Sequence, residues 1–218
     1  MKSSQLSESL QDYLREIYKL EDENGRATTS AIAERLGVAS PSVTAALKRL
    51  TTLGLVRHER YRGAVVTPAG RRVAVELIRH HRLLEQYLAQ SLGVGIDDVH
   101  EEADRLEHAL SEEVEARIDE SLGYPTHDPH GDPIPDANLE LVPTNLRLLA
   151  SLEPGEEATI RRIPDESGLL RYLSELLLVP GSRIKVFARA PFGGPITVGV
   201  GRARHAIAQD VALRIGVS

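Results

Sequence analysis

Three chain breakers, Gly37, Pro41 and Gly54, constrain this sequence more than any other feature, because they cut one stretch into short, dictated pieces. Thr28–Leu36 carries Ala31, Ile32 and Leu36 at helical spacing, and Gly37 stops it. Ser40-Pro41 opens the next helix, with Ser as N-cap and Pro at the first helical position. That helix is predicted to run to about Leu53, with Val43, Leu47 and Leu50 on its buried side. Two short helices joined by a tight Gly-containing turn make a helix-turn-helix. After Gly54, Leu55–His58 and Tyr61–Thr67 read as a hairpin with a basic tip, which completes a winged helix-turn-helix. Such a unit places the start of its second helix in the major groove. Ser40, Pro41, Ser42, Thr44, Ala45 and Lys48 would then face the bases, and Arg60 and Arg62 in the wing would meet phosphates.

Charge supports this reading through its distribution. The net charge is -6, which taken alone disfavours nucleic acid. From Lys48 to Arg72, however, Lys48, Arg49, Arg57, Arg60, Arg62, Arg71 and Arg72 face the single acid Glu59. A helix-turn-helix also occurs as a mere packing motif in helical bundles; the basic hairpin and the local positive charge argue for DNA. Aromatics are only 4%, with no Trp, so a stacking platform for single strands is not expected. No Cys occurs, which removes disulfides, thiolate metal sites and a cysteine nucleophile. The N-terminus shows no cationic segment followed by an apolar run, and no stretch approaches a membrane span, so a soluble cytoplasmic protein is expected.

A second charged region has the opposite sign. In His100–Ile118, HEEADRLEHALSEEVEARI, a helix would stack His100, Asp104, Glu107 and His108 on one face. Ala103, Leu106, Leu110 and Val114 form a neighbouring apolar stripe. Two imidazoles and two carboxylates offer nitrogen and oxygen to a divalent metal; the bland alternative is a solvated acidic helix. Gln5–Glu23 reads as an amphipathic helix in which Asp12 lies off the apolar stripe, like a surface carboxylate. The predicted helix Arg71–Leu92 carries His80, His81 and Glu85, and His81 and Glu85 are i, i+4 neighbours able to share a cation or simply pair. Its Ala74, Leu77, Leu84 and Leu88, with Leu106, Leu110 and Val114, suggest two helices exposing apolar surface that a second subunit would cover.

Tyr124–Pro135, with four prolines and two histidines, is expected to be an extended surface loop. His127, Asp128, His130 and Asp132 there imitate a metal cluster but are read as surface residues. A short helix is expected near Leu146–Leu149. Beyond Leu152 the pattern turns to short strands, Ala158–Ile163, Arg183–Ala188 and Ile196–Val200, with a helix at Gly168–Leu177, as in a small SH3-like barrel.

With these pieces in order, the sequence resembles the diphtheria-toxin-repressor family of metal-dependent transcriptional regulators over nearly its full length. The resemblance rests on DYLREIYKLED at Asp12–Asp22, SPSVTAALKRL at Ser40–Leu50 and GLVRHERYRGAVVTPAG at Gly54–Gly70. It continues through the His100–Ile118 segment, HDPHGDPIP at His127–Pro135 and LVPGSRIKV at Leu178–Val186. It implies a mainly α chain with small β parts in three domains. These are a winged helix-turn-helix DNA-binding domain over 1–72, a helical metal-binding and dimerisation domain over 73–143, and an SH3-like (FeoA-like) β-barrel over 144–218. It also implies a homodimer on double-stranded operator DNA, no membrane partner and no catalysed reaction.

By motif position the primary metal ligands would be Asp12, Asp104, Glu107 and His108. A second site would use His81, Glu85 and His100 with a carboxylate from the C-terminal domain, Asp165 or Glu166. Iron-responsive members typically carry Met and Cys where this chain has Asp12 and Asp104. Hard oxygen donors at both places favour Mn²⁺, with Fe²⁺ as the alternative. The manganese branch usually has Glu where this chain has Arg15 and lacks the C-terminal domain kept here. Many iron-responsive members have a base-contacting Gln where this chain has Ala45. Two other functions compete: a winged-helix regulator answering another ligand, and a carboxylate-bridged di-metal enzyme. The latter needs Glu-x-x-His on two helices, of which Asp104–Glu107–His108 supplies at most one half.

Overall fold

Helix α1, Glu8–Asn24, is organised by its apolar stripe: Tyr13, Leu14, Ile17, Tyr18 and Leu20 are all buried. In the computed structural model, which describes residues 3–59, 62–142 and 144–218, α1 ends as its sequence predicts, with Gly25 left-handed and donating to the Glu21 carbonyl. Helix α2, Thr29–Leu36, is capped by the Thr28 side chain, which accepts from the Ala31 N–H, and stopped by a left-handed Gly37. Helix α3, Ser40–Thr52, buries Val43, Ala46, Leu47 and Leu50. Its N-cap is Ala39 and not Ser40, so Ser40 and Pro41 are both helical, and no side chain caps this end. Strands β1, Val56–Glu59, and β2, Gly63–Val66, form the hairpin. Its base is tied to the rest by the Ala27–Ala64 bridge and by Glu21, whose carboxylate accepts from the Val66 N–H at 2.6 Å.

The chain forms two compact units. One comprises 1–81, 107–110 and 135–140, and the other comprises 82–106, 111–134 and 141–218. The boundary falls inside α4, Pro68–Leu92. This helix starts three residues earlier than predicted, because the Thr67 hydroxyl accepts from the Gly70 N–H and Pro68 suits the first turn. The first unit's core runs from Leu6 through Ile78.

Three expectations for the middle of the chain need correction. The single helix over His100–Ile118 is in fact broken. Helix α5, Val99–Leu106, gives way to a 3₁₀ turn, Glu107–Ala109, before α6, Glu112–Ser121. Ser111 makes the break: its side chain accepts from the Val114 N–H, and Glu112, Glu113 and Glu115 favour the positive end of α6. The apolar residues assigned to a dimer face are divided. Ala74, Leu77, Leu84 and Leu88 are buried within the chain, while Leu106 and Val114 are 46% and 48% exposed.

The proline-rich loop, expected at the surface, is folded inward, with Asp128, His130 and Asp132 buried and only His127 of the four exposed. Asp128 Oδ1 accepts from the N–H groups of His130 and Asp132, both at 2.9 Å, which curls the loop. Arg82 donates to the Pro133 carbonyl at 2.6 Å, Arg162 pairs with Asp132 at 2.8 Å, and the Ile163 N–H donates to His130 O.

The C-terminal part is an antiparallel sheet in the order β3-β8-β4-β5-β6-β7, around a core that includes Leu149, Ile160, Leu173, Val186, Val198 and Ile207. Strands β4, Glu157–Arg162, β5, Arg183–Arg189, and β6, Ile196–Val200, match the predicted ones, and α7, Ser167–Glu175, is the inserted helix. Strand β7, Ala203–Ile207, was not foreseen. Strands β3, Arg147–Leu148, and β8, Gly216–Val217, pair with each other. The helix expected at Leu146–Leu149 is therefore β3 followed by one 3₁₀ turn, and α8, Gln209–Ala212, precedes β8. No helix among the described residues is long and apolar enough to cross a membrane.

Gly131 is what lets the proline loop pack. Its φ is +89°, and a Cβ there would lie 1.8 Å from the Arg161 carbonyl oxygen. Gly131→Ala is expected to cost about 2 kcal/mol or more and lower the melting temperature by ~4–8 °C, read by calorimetry. A shift under about 1 °C would show that the approach is not tight.

Candidate metal centre and DNA-contacting face

One turn of α1 and the 3₁₀ turn after α5 bring three expected ligands together in the first unit. Asp12, Glu107 and His108 each offer a donor atom within 4.8 Å of the others. His108 Nε2 lies 3.3 Å from Asp12 Oδ1 and 3.8 Å from Glu107 Oε1. Adjacent ligands around a divalent ion with bonds of ~2.1 Å stand about 3 Å apart, so the three donors are at the scale of a coordination shell. Glu107 is buried, His108 half-buried, and Asp12 leaves the cluster open on one side, where Leu6, Ser7, Glu8, Ser9, Gln11 and His108 line a groove.

Gln11 sets the chemistry of His108. Its amide nitrogen donates to the carbonyls of Ser3 at 3.2 Å and Leu6 at 3.1 Å, which fixes its oxygen toward His108 Nδ1 at 3.0 Å. An amide oxygen only accepts, so Nδ1 carries the proton and the Nε2 lone pair is the one turned toward Asp12. A lone pair facing a carboxylate at 3.3 Å calls for a positive charge between them, supplied by a second ring proton or by a metal ion. The donor set thus fits a divalent cation. Sequence reading missed Gln11, since nothing in its spacing marks a buried glutamine one residue before a ligand.

Glu107 has further partners. Oε1 accepts from Arg15 Nη1 at 2.5 Å, and Oε2 lies 2.7 Å from His81 Nδ1. His81 is therefore oriented by a candidate ligand.

The second unit holds another cluster. Glu85 Oε1 lies 3.0 Å from His100 Nδ1 and 3.6 Å from His130 Nε2, and His100 Nε2 is 3.7 Å from Asp104. His130 is fully buried, and neither ring nitrogen has a hydrogen-bond partner. Burial would lower its pKa, but the interaction with Glu85, then the charges of Asp128 and Asp165, outweigh it and raise it. Burial, with Glu85 and Asp132 nearby, pushes Asp128 up to about 7, against the pull of Arg82 and His130. His130 thus adds a buried imidazole to the Glu85, Asp128 and Asp165 carboxylates, nitrogen and oxygen groups of the kind that hold a divalent cation. Of the two carboxylates left open by sequence, Asp165 acts on His130, whereas Glu166 is turned to the Arg214 guanidinium.

On the DNA side, Ser40, Pro41, Ser42, Thr44, Ala45 and Lys48 are all exposed on α3, as the helix-turn-helix reading requires. The Thr44 hydroxyl donates to the Ser40 carbonyl at 3.0 Å. Arg62 is exposed and 3.4 Å from Glu59, a pair too solvated to hold it from a phosphate. Arg60 lies outside the described residues.

Known proteins are similar to this chain in all three of its parts. Residues 5–64 match the model of the iron dependent repressor N-terminal DNA binding domain. Residues 67–136 match that of the iron dependent repressor metal binding and dimerisation domain, and residues 147–218 match the FeoA domain. The chain is 32% identical to the iron-dependent repressor IdeR of Mycobacterium leprae over 97% of each chain. It is 42% identical to the diphtheria toxin repressor of Corynebacterium efficiens over 60% of this chain and 56% of that one. Among solved structures, a manganese-dependent transcriptional repressor in complex with manganese superposes with a TM-score of 0.86 at 37% identity, covering 95% of this chain and 98% of the other.

Replacing Gln11 tests the cluster directly. Gln11→Leu removes the acceptor for His108 Nδ1 and should weaken Mn²⁺ binding about 10–100-fold in calorimetric titration. Equal affinities for the parent and the Leu variant would mean that the ring is not set by Gln11.

Proposed function

We propose that this chain, which belongs to the iron-dependent repressor family, answers to Mn²⁺, with Fe²⁺ as the alternative effector. It is a metal-dependent, DNA-binding transcriptional repressor and not an enzyme, and its partners are operator DNA and a second copy of itself. The observation that carries the metal assignment is the pairing of His108 Nε2 with the Asp12 carboxylate beside Glu107, three nitrogen and hard oxygen donors with no sulfur. Asp104 joins this primary set on the sequence resemblance alone.

A second ion is proposed at Glu85 and His100. The buried His130, whose Nε2 lies 3.6 Å from Glu85 Oε1, and the charge of Asp165 support that placement. His81 is assigned there on the resemblance alone, and the bond of its Nδ1 to Glu107 orients it. We divide the chain at 1–72, 73–143 and 144–218, which the three family matches support. The exposed Leu106 and Val114 support a self-association surface in the middle domain, and a DNA partner supports a cytoplasmic location.

The bound cation supplies positive charge and a fixed geometry; the protein's residues do the rest. Gln11 holds the His108 tautomer, Glu107 and Asp12 neutralise the ion, and α3 and the wing present Ser42, Thr44, Ala45, Lys48 and Arg62 to DNA. Metal and operator strengthen each other by the same factor. Removing metal with a chelator should therefore weaken operator binding by about 5–150-fold while leaving the fold intact. Asp12→Met with Asp104→Cys should lower the response to Mn²⁺ and preserve that to Fe²⁺, read by anaerobic fluorescence anisotropy on labelled operator. A double variant with an unaltered Mn²⁺ midpoint would remove both residues from the ligand set.

A further inference from the structure

Arg15 stands three residues after Asp12 on α1, on the same side of the helix. Its side chain is 9% exposed and its Nη1 touches Glu107 Oε1 at 2.5 Å, while the Glu107 side chain is 1% exposed. Arg15 Nε also lies 3.6 Å from Glu16 Oε1, which Lys19 approaches to 3.7 Å, while Arg35 lies 3.9 Å from Glu16 Oε2. One oxygen of a proposed metal ligand is thus engaged by a permanent cation, and the other faces His81. A guanidinium does not deprotonate in proteins, so this cation is a permanent one.

We propose that Arg15 is a tethered cation that competes with the metal for Glu107 and so sets the metal concentration at which the repressor responds. This rests on the reading of Asp12, Glu107 and His108 as ligands. Without metal, Arg15 neutralises a buried carboxylate that would otherwise be costly, and so keeps the metal-free protein folded. With metal, the same charge repels the incoming ion and must share or yield Glu107 Oε1. The chain thereby trades affinity for a metal-free state that persists, and a sensor needs such a state.

The test compares the parent, Arg15→Gln, Arg15→Lys and His108→Ala as full-length proteins, by Mn²⁺ calorimetry and by melting with and without Mn²⁺. Arg15→Gln should bind Mn²⁺ at least ~10-fold more tightly, melt lower than the parent without metal and gain more from metal. Arg15→Lys keeps the charge and should stay near the parent. Should Arg15→Gln be unfolded without metal, recovery of a native melt in Mn²⁺ supports the proposal, and failure to recover overturns it. Unchanged or weaker Mn²⁺ binding by a folded Arg15→Gln also overturns it, because Arg15 would then only position Glu107. Mn²⁺ binding that is lost in His108→Ala separates these results from failure of the site reading, in which His108→Ala would bind as the parent does.

Discussion

A carboxylate withdrawn from water must find positive charge, and in this protein that requirement falls on Glu107. Its side chain is almost wholly covered, between the Arg15 guanidinium on one oxygen and the His81 imidazole on the other. The geometry around it follows from that need. The 3₁₀ turn that carries Glu107 also carries His108, and α1 supplies both the cation that pairs with Glu107 and the aspartate that faces His108. On the proposed ligand set, metal-free and metal-loaded states would differ in which cation meets the carboxylate. A ligand that binds one state more tightly shifts the balance by its differential affinity and by nothing else.

Much of the architecture was readable from local signals. The two helices of the helix-turn-helix and the hairpin follow from Gly37, Pro41 and Gly54, and the structure places them within a residue or two of the expected bounds. Each such signal acts within one turn of chain, where propensity and capping dominate. Ser111 was also such a signal, with Glu112 and Glu113 behind it, but the apolar periodicity of His100–Ile118 hid it. Strand β7 was missed because Ala203–Ile207 is exposed over most of its length and shows little alternation.

The site was only half readable, for a different reason. Helical spacing points to Glu107 and His108 and motif position to Asp12, but their partners come from residues without a periodic signature. Gln11 matters because it reaches back to Ser3 and Leu6, and Arg15 because Glu107 is ninety-two positions away in sequence. His130 was dismissed with its loop, since prolines forbid helix but do not keep a loop at the surface. Asp128, Gly131, Arg82 and Arg162 fold that loop inward through hydrogen bonds that no composition rule anticipates.

On the proposed ligand set, one metal-binding equilibrium at Asp12, Glu107 and His108 is linked to one DNA-binding equilibrium on α3 and the wing. Linkage is reciprocal, so the decisive measurement is made in the direction opposite to the biological one. Mn²⁺ affinity is measured for the protein alone and for the protein saturated with operator duplex, and the ratio is compared with the gain in operator affinity that Mn²⁺ produces. Equal factors of about 5–150 are expected for the parent protein, both collapsing toward one in His108→Ala. Mn²⁺ affinity that is the same with and without operator would contradict the linkage.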